Sequence, residues 1–181
     1  MSTSEILTVA PARTWRLDPI HSVVTFEVAY LAGTFKGQFR DIAAELEVGA
    51  DGAALRGTAQ VQSVDVKDEN LAAHLQSPDF FDAERHPELR FAADKLDVDD
   101  GGVIARGEVT IKGVTKPVEV TGTVTNPLVD PYGNDRIGLV LSATVDRTDF
   151  GVSWNNPLPN GDQALADDVT ITADLQFVKG A

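Results

Sequence analysis

Val103–Val124 reads VIARGEVTIKGVTKPVEVTGTV, two alternating runs on either side of one turn. In the first run Val103, Ala105, Val109 and Ile111 fall on one side, and Ile104, Arg106, Glu108 and Thr110 on the other. Beyond KGVTKP, residues 112–117, Val118, Val120 and Val124 alternate with Glu119, Thr121 and Thr123. Successive side chains of a strand point to opposite faces, so this period of two predicts a pair of strands with one apolar face each. The short turn between them predicts an antiparallel hairpin.

Working outward, the same pattern recurs along the chain. Upstream, a short opening run holds Trp15 and Leu17, followed by Val24, Phe26, Val28 and Tyr30 on one face. Ile42, Ala44, Leu46 and Val48 then alternate with Glu45 and Glu47, before Leu55, Gly57, Ala59 and Val61, and Leu89, Phe91 and Ala93. Downstream, Ile137, Leu139, Leu141, Ala143 and Val145 continue it, and Val169, Ile171, Ala173, Leu175 and Phe177 close it. The count is eight or nine strands, rich in Val and Thr. GADGA after the third run, DDGG at 99–102 and DPYGND at 130–135 mark further turns,. Neighbouring strands are therefore expected to pair as hairpins. One segment breaks the pattern: VKDENLAAHLQ, with Leu71 and Leu75 spaced i, i+4 and acidic residues early, predicts a helix,.

Length and composition bound the function. At 181 residues, 43% hydrophobic and 24% charged, the chain suits one soluble globular domain,. Residues 1–13 read as a flexible tail and 14–181 as the domain,. There is no cysteine, which removes disulfides, thiolate metal sites and cysteine nucleophiles,. A formal charge of −13, with no Lys/Arg cluster, argues against nucleic acid and against stable docking on or insertion into a bilayer,. The N-terminal residues MSTSEILTVAPAR show neither a basic n-region nor a sustained apolar h-region, and a cytoplasmic protein is expected,.

Many short antiparallel strands leave a sandwich or a closed barrel. Gly57, Ala59, Ala93, Ala105, Gly107, Gly122, Ala143 and Ala173 put small residues on the inner faces, where a self-filled core would favour Leu and Ile,. They favour a barrel with room for a small ligand. The chemistry-bearing residues are sparse. His21, His74 and His86 have no metal-ligand spacing, no metal or cofactor is expected, and no nucleophile elbow, phosphate loop or dinucleotide fingerprint is present,. What recurs instead, at strand ends and after the helix, is aromatic: Phe26, Phe39, Phe80, Phe81, Phe91, Phe150 and Trp154. With the small residues they outline an elongated apolar interior. The adjacent pair in SPDFFDAERHPELRF is expected to divide its labour, one ring in the core and one on the ligand, with Asp79 and Asp82 in water or capping backbone groups,.

Five segments in order resemble one family. WRLDPIHSVVTFEV, GTFKGQF, NLAAHLQSPDFFDAERHPELRF, GEVTIKGVTKPVEV and DRTDFGVSWN run from about Thr14 to Val178 and are similar to the YceI-like proteins, lipocalin-like binders of polyisoprenoids. The resemblance implies an all-β, extended eight-stranded antiparallel barrel with one short helix near an end. Its tunnel would hold the chain of a polyprenyl lipid or isoprenoid quinone for sequestration, transport or storage, and a homodimer is a form that relatives adopt. Ligand contacts are expected from the aromatic set together with Val28 and Tyr30, and headgroup contacts from Asn155, Arg147 and Tyr30. Many relatives carry a histidine where this chain has Ala29 and Tyr30, so a role for that histidine passes to the Tyr30 hydroxyl or is absent. Two other readings stand beside the carrier: a hydrolase or isomerase using His21 with Asp18 or Asp149, and a barrel whose filled core serves as an interaction or stress-response scaffold.

Overall fold

The structure is a computed structural model that describes residues 13–49 and 52–179. The tail expected over residues 1–13 thus lies outside the described residues apart from Arg13, as does part of the GADGA turn. In chain order the strands are β1 (Arg13–Leu17), β2 (Val23–Tyr30), β3 (Gly33–Phe39), β4 (Ile42–Gly49), β5 (Gly52–Gln60) and β6 (Val64–Asp65). After the helix α1 (Glu69–Gln76) come β7 (Glu88–Asp99), β8 (Gly102–Ile111), β9 (Val114–Val124), β10 (Leu128–Val129), β11 (Asp135–Asp146) and β12 (Leu165–Lys179). The helix starts where the acidic cap demands, because the Asp68 carboxylate accepts the Leu71 N–H at 2.9 Å,.

The ladder β11–β9–β8–β7–β5–β4–β1–β12 returns to β11 and closes an eight-stranded antiparallel barrel. Its seam is long: β11 and β12 pair without a break from Arg136↔Val178 to Asp146↔Asp168. The other edge of β12 is shared. Leu17↔Phe177 belongs to β1, and from Val23↔Asp174 onward the partner is β2. Between them Asp18–Ser22 interrupts the strand, and there the wall forks. β1 passes the ladder to β4, while β2 passes it to β3 and the two-residue β6, an appended flap over which α1 lies. Sequential hairpins hold for β2–β3, β4–β5, β7–β8 and β8–β9. β1–β2 and β3–β4 do not pair, contrary to the hairpin expectation. Strands β3, β6 and β10 were absent from the expected set; β3 does alternate, but its glycines dilute the apolar signal.

The interior is not uniform along the barrel axis. At the β1 end, Trp15, Leu46, Val48, Ile137, Leu139 and Phe177 are each at most 5% exposed and form a solid plug. Large side chains there meet one another with no space left, as in an ordinary core. Further along, Ala44, Gly57, Ala143 and Ala173 replace them, and part of the surrounding wall, including Leu89, Phe91 and Ile171, is only partly buried. The small residues therefore divide into two kinds. Gly57, Ala59, Ala143 and Ala173 line open space. Ala93 and Ala105 are 1% exposed and packed, while Gly107 and Gly122 admit a neighbouring backbone. A Cβ on Gly107 would strike the Ala92 carbonyl beside the register shift of β7, and one on Gly122 would overlap the Val140 carbonyl,.

Candidate functional site: a two-chambered apolar interior

Past the plug, the barrel encloses a narrow aliphatic chamber of about 140 Å³, walled by Ile42, Leu55, Val120, Leu141 and Leu175 around the small residues. It leads to a wider aromatic chamber of about 380 Å³, bounded by β2, β3, α1, the Phe80–Phe81 turn and the segment from Phe150 to Trp154. Val24, Leu89, Ile111, Val145 and Ile171 line both, so they form the waist between the two chambers.

The aromatic chamber is built from two ring clusters. Phe26 lies 5.5 Å from Phe39, 5.9 Å from Phe35 and 6.2 Å from Phe81, and Phe39–Phe81 is an edge contact at 5.7 Å. Opposite, Phe80 sits 5.3 Å from Trp154, and the His74 ring meets both edge-on at 4.9 and 5.0 Å. Such tilted and edge geometries add to the burial that holds the rings. Phe80 and Phe81 can face different clusters because they occupy a turn, not a strand. The N–H groups of Phe80 and Asp82 both bond Ser77 O, the Phe81 N–H bonds Leu75 O, and Asp82 takes φ 51°. Both rings line the chamber, Phe80 buried at 8% exposure and Phe81 only partly buried against the core. Asp82 is buried at 5% exposure, not left in water, while Asp79 pairs with His74.

Of the ten residues expected to contact ligand, Phe26, Val28, Tyr30, Phe39, Phe80, Phe81, Phe150 and Trp154 meet in the wide chamber, and Phe91 lines the narrow one. Asn155 does not line either chamber. Its side-chain amide donates to Leu165 O at 2.7 Å and its Oδ1 accepts the Leu165 N–H at 2.9 Å, a mimic of a strand pair that fastens the loop to β12. Arg147 reaches the chamber but is equally committed. Its guanidinium donates to the carbonyls of Ala166, Val152, Trp154 and Leu165 at 2.8, 2.7, 2.8 and 3.3 Å. Burial pushes its pKa down, and nearby Asp167 and Asp146 oppose that shift. Both residues thus organise the rim of the chamber; they are not free headgroup contacts. Tyr30 lines the chamber, and its hydroxyl has no hydrogen-bonding partner among the described residues.

Sequence reasoning missed Phe35, Val152, Leu165 and the helix face of Leu71, His74 and Leu75. The helix signal was available: His74 follows Leu71 by three residues and so shares its face. Among the described residues no cluster of His, Asp and Glu could hold a metal ion, and no helix is long and apolar enough to cross a membrane.

The polar pair at the other end serves the fork. His21 Nδ1 lies 2.8 Å from Asp18 Oδ2, but its side chain is 60% exposed and the pair borders neither chamber. Asp18 also accepts the Ile20 N–H and receives Arg136 Nη1 at 2.7 Å, and Arg136 Nε reaches Asp130 at 2.7 Å. The Arg136 guanidinium holds the Asp18 carboxyl down to about 2, and holds that of Asp130 well below the usual range. The LDPIHS and DPYGND segments are therefore joined by a charge-assisted clamp that fixes the break between β1 and β2. Asp149 sits past the far end of β11, a strand whose 12 residues span roughly 35 Å, so it cannot join His21,. His86 lies beneath Gly113 at the β8–β9 turn.

Fold and site together define an eight-stranded antiparallel barrel, plugged at one end, with two apolar chambers that share a waist. The chain belongs to the YceI-like family: the family model, YceI-like domain, matches residues 15–177. A Staphylococcus epidermidis protein of the UPF0312 group is 29% identical over 171 residues, 90% of this chain and 96% of its own length. A Staphylococcus aureus counterpart is 30% identical, over 88% and 94%. Burkholderia cenocepacia BcnA shares the fold at TM-score 0.76 and 21% identity, covering 88% of this chain and 98% of that one. A polyisoprenoid binding domain from Saccharophagus degradans superposes at TM-score 0.69 and 12% identity, over 92% and 98%.

Proposed function

We propose that the protein binds an isoprenoid lipid, either a polyprenyl chain or an isoprenoid quinone, inside the barrel for sequestration, transport or storage, without catalysing a reaction on it. The observation that carries this reading is the pair of apolar chambers joined through a shared waist and stopped by the plug. A chain enters tail first, with its polar end left in the aromatic chamber. Each five-carbon unit removed from water contributes up to ~4 kcal/mol, at ~0.8 kcal/mol per carbon. A few units exceed the cost of ordering the chain and losing its free motion. The polyisoprenoid binding domain from Saccharophagus degradans, which has the same fold, supports the choice of ligand class.

Native mass spectrometry of gently purified protein tests the proposal. A copurifying apolar molecule, extractable into organic solvent and replaceable by added polyprenol, is the expected result. Well-folded protein that yields no lipid and takes up no polyprenol refutes it. His21→Ala is expected to leave binding unchanged, since the pair with Asp18 lies away from the chambers.

A further inference from the structure

We infer that the rim of the aromatic chamber is a docking surface for a lipid bilayer, with Leu31 as the side chain that enters it. This rests on the lipid-binding reading above and adds the source from which the barrel is loaded: a bilayer whose headgroups carry no net charge.

A strained apolar residue stands at an exposed tip. Tyr30 pairs with Gly33, so Leu31 and Ala32 form a two-residue turn between β2 and β3. Leu31 takes φ 52° there, at a position where such turns favour glycine,. The other non-glycine residues with positive φ among the described residues are Asp82, Asp100 and Lys112, all of them polar. The Cβ of a leucine strains that conformation, and at 62% exposure the side chain recovers little through burial,. Glycine at this position would suit the fold better, so the leucine is explained by what it meets outside the barrel.

The tip stands at the open end of the barrel. The Leu31 N–H bonds Ala164 O at 2.9 Å and the Ala164 N–H bonds Asn156 O at 3.0 Å, which joins the tip to a second hairpin over residues 156–164. Pro157 bridges Gln163 within it, and Pro157 and Pro159 are exposed. Both loops spring from the chamber wall: Tyr30, Trp154 and Leu165 flank them and line the chamber, with Tyr30 opposite Leu165. The plug closes the other end, so a guest passes here. A guest this apolar has its reservoir in a lipid phase, not in water. Charge then selects the kind of bilayer. Residues 31–34 and 155–164 contain Asp162 and no Lys or Arg, and Asp167 and Asp168 are exposed where β12 begins. Arg147 keeps its positive charge, but at 5% exposure and 3.7 Å from Asp167. Lys36 on β3 lies 3.9 Å from Glu27. An apolar tip on an anionic rim fits zwitterionic headgroups with their outermost ammonium groups, and an anionic leaflet repels it.

The test follows transfer of a naphthoquinone bearing a geranylgeranyl chain from phosphatidylcholine vesicles to the protein, read by quenching of tryptophan, since Trp154 lines the chamber. The rate at which the vesicles empty should rise in proportion to protein concentration, as loading by collision requires. Leu31→Gly, which relieves the strain, should load roughly tenfold more slowly, and Leu31→Phe should stay near the wild-type rate. Replacing about a third of the lipid with phosphatidylglycerol should slow wild type. The same quinone delivered from a cyclodextrin should bind wild type and Leu31→Gly equally well, and Leu31→Gly should melt no lower than wild type. A rate independent of protein concentration, wild-type loading by Leu31→Gly, or anionic vesicles that load as fast as neutral ones overturns the inference and leaves the carrier reading standing. So does a loss of cyclodextrin-delivered affinity in Leu31→Gly, which makes Leu31 a wall residue. An oligomer, formed without vesicles, that Leu31→Gly dissolves assigns the tip to a second copy and overturns it as well. Failure of wild type to take up the quinone from either source refutes the carrier reading itself.

Discussion

Ala143→Leu probes the narrow chamber through the sign of its effect. Ala143 pairs with Ile171 across the β11–β12 seam and faces the chamber of about 140 Å³. Leucine adds three carbons, and at roughly the 30 Å³ that a water occupies in the liquid these take up about 90 Å³. They fit. Burying them gains at most ~2.4 kcal/mol, from which the ordering of the side chain removes ~0.5–1 kcal/mol. The ligand-free variant should therefore be more stable by about 1.5 kcal/mol, a rise in Tm of about 3–6 °C for a domain of this size. In a filled core the same change would overpack, at a cost of ~1–3 kcal/mol. Binding should move the other way. The inner end of the tunnel is lost, so a long prenyl alcohol should weaken tenfold or more while a short one, held in the aromatic chamber, is unaffected. Calorimetry of lipid-stripped protein with titrations of two chain lengths reads both effects. A fall in Tm, or an equal loss for both chains, refutes the reasoning and returns the barrel to a filled core.

Three further outcomes follow from the same geometry. Phe177→Ala, in the plug at 0% exposure, should cost ~3–5 kcal/mol in denaturant melts, with added lipid shifting wild type and variant equally,. Phe91→Ala, half-buried on the narrow chamber, should cost less when ligand-free and reduce the stabilisation that added lipid confers,. Arg136→Met should lower the denaturation midpoint near neutral pH, by leaving Asp18 and Asp130 without their shared cation,. Asp18 titrates at about 2 in the folded protein against an ordinary 3.8, so its contribution is complete above that ordinary value and fades as pH falls towards 2,; the variant's acid-unfolding curve should lose that part of its slope.

The alternation around the Val103–Val124 hairpin determined by itself that the chain is built of one-sided antiparallel strands, and the acidic start at Asp68 placed the helix. The aromatic residues could be picked out from their recurrence alone, and nearly all of them converge on the interior. Alternation assigns a side chain to a face; its height along the barrel axis depends on register between strands remote in sequence. That is why Ala105 and Ala143 read alike, although one is fully packed and the other lines the chamber. Only the tertiary structure separates Gly57, which borders space, from Gly122, which borders the Val140 carbonyl. The polar residues show the same division for a different reason. Whether Asn155, Arg147 or His74 is free to meet a ligand depends on which donors and acceptors already use it, and those belong to Leu165, Ala166 and Asp79. Their distances to one another arise from the fork of the wall at Asp18–Ser22 and the closing of β12 on β11, where long-range backbone pairing, not local pattern, decides what meets.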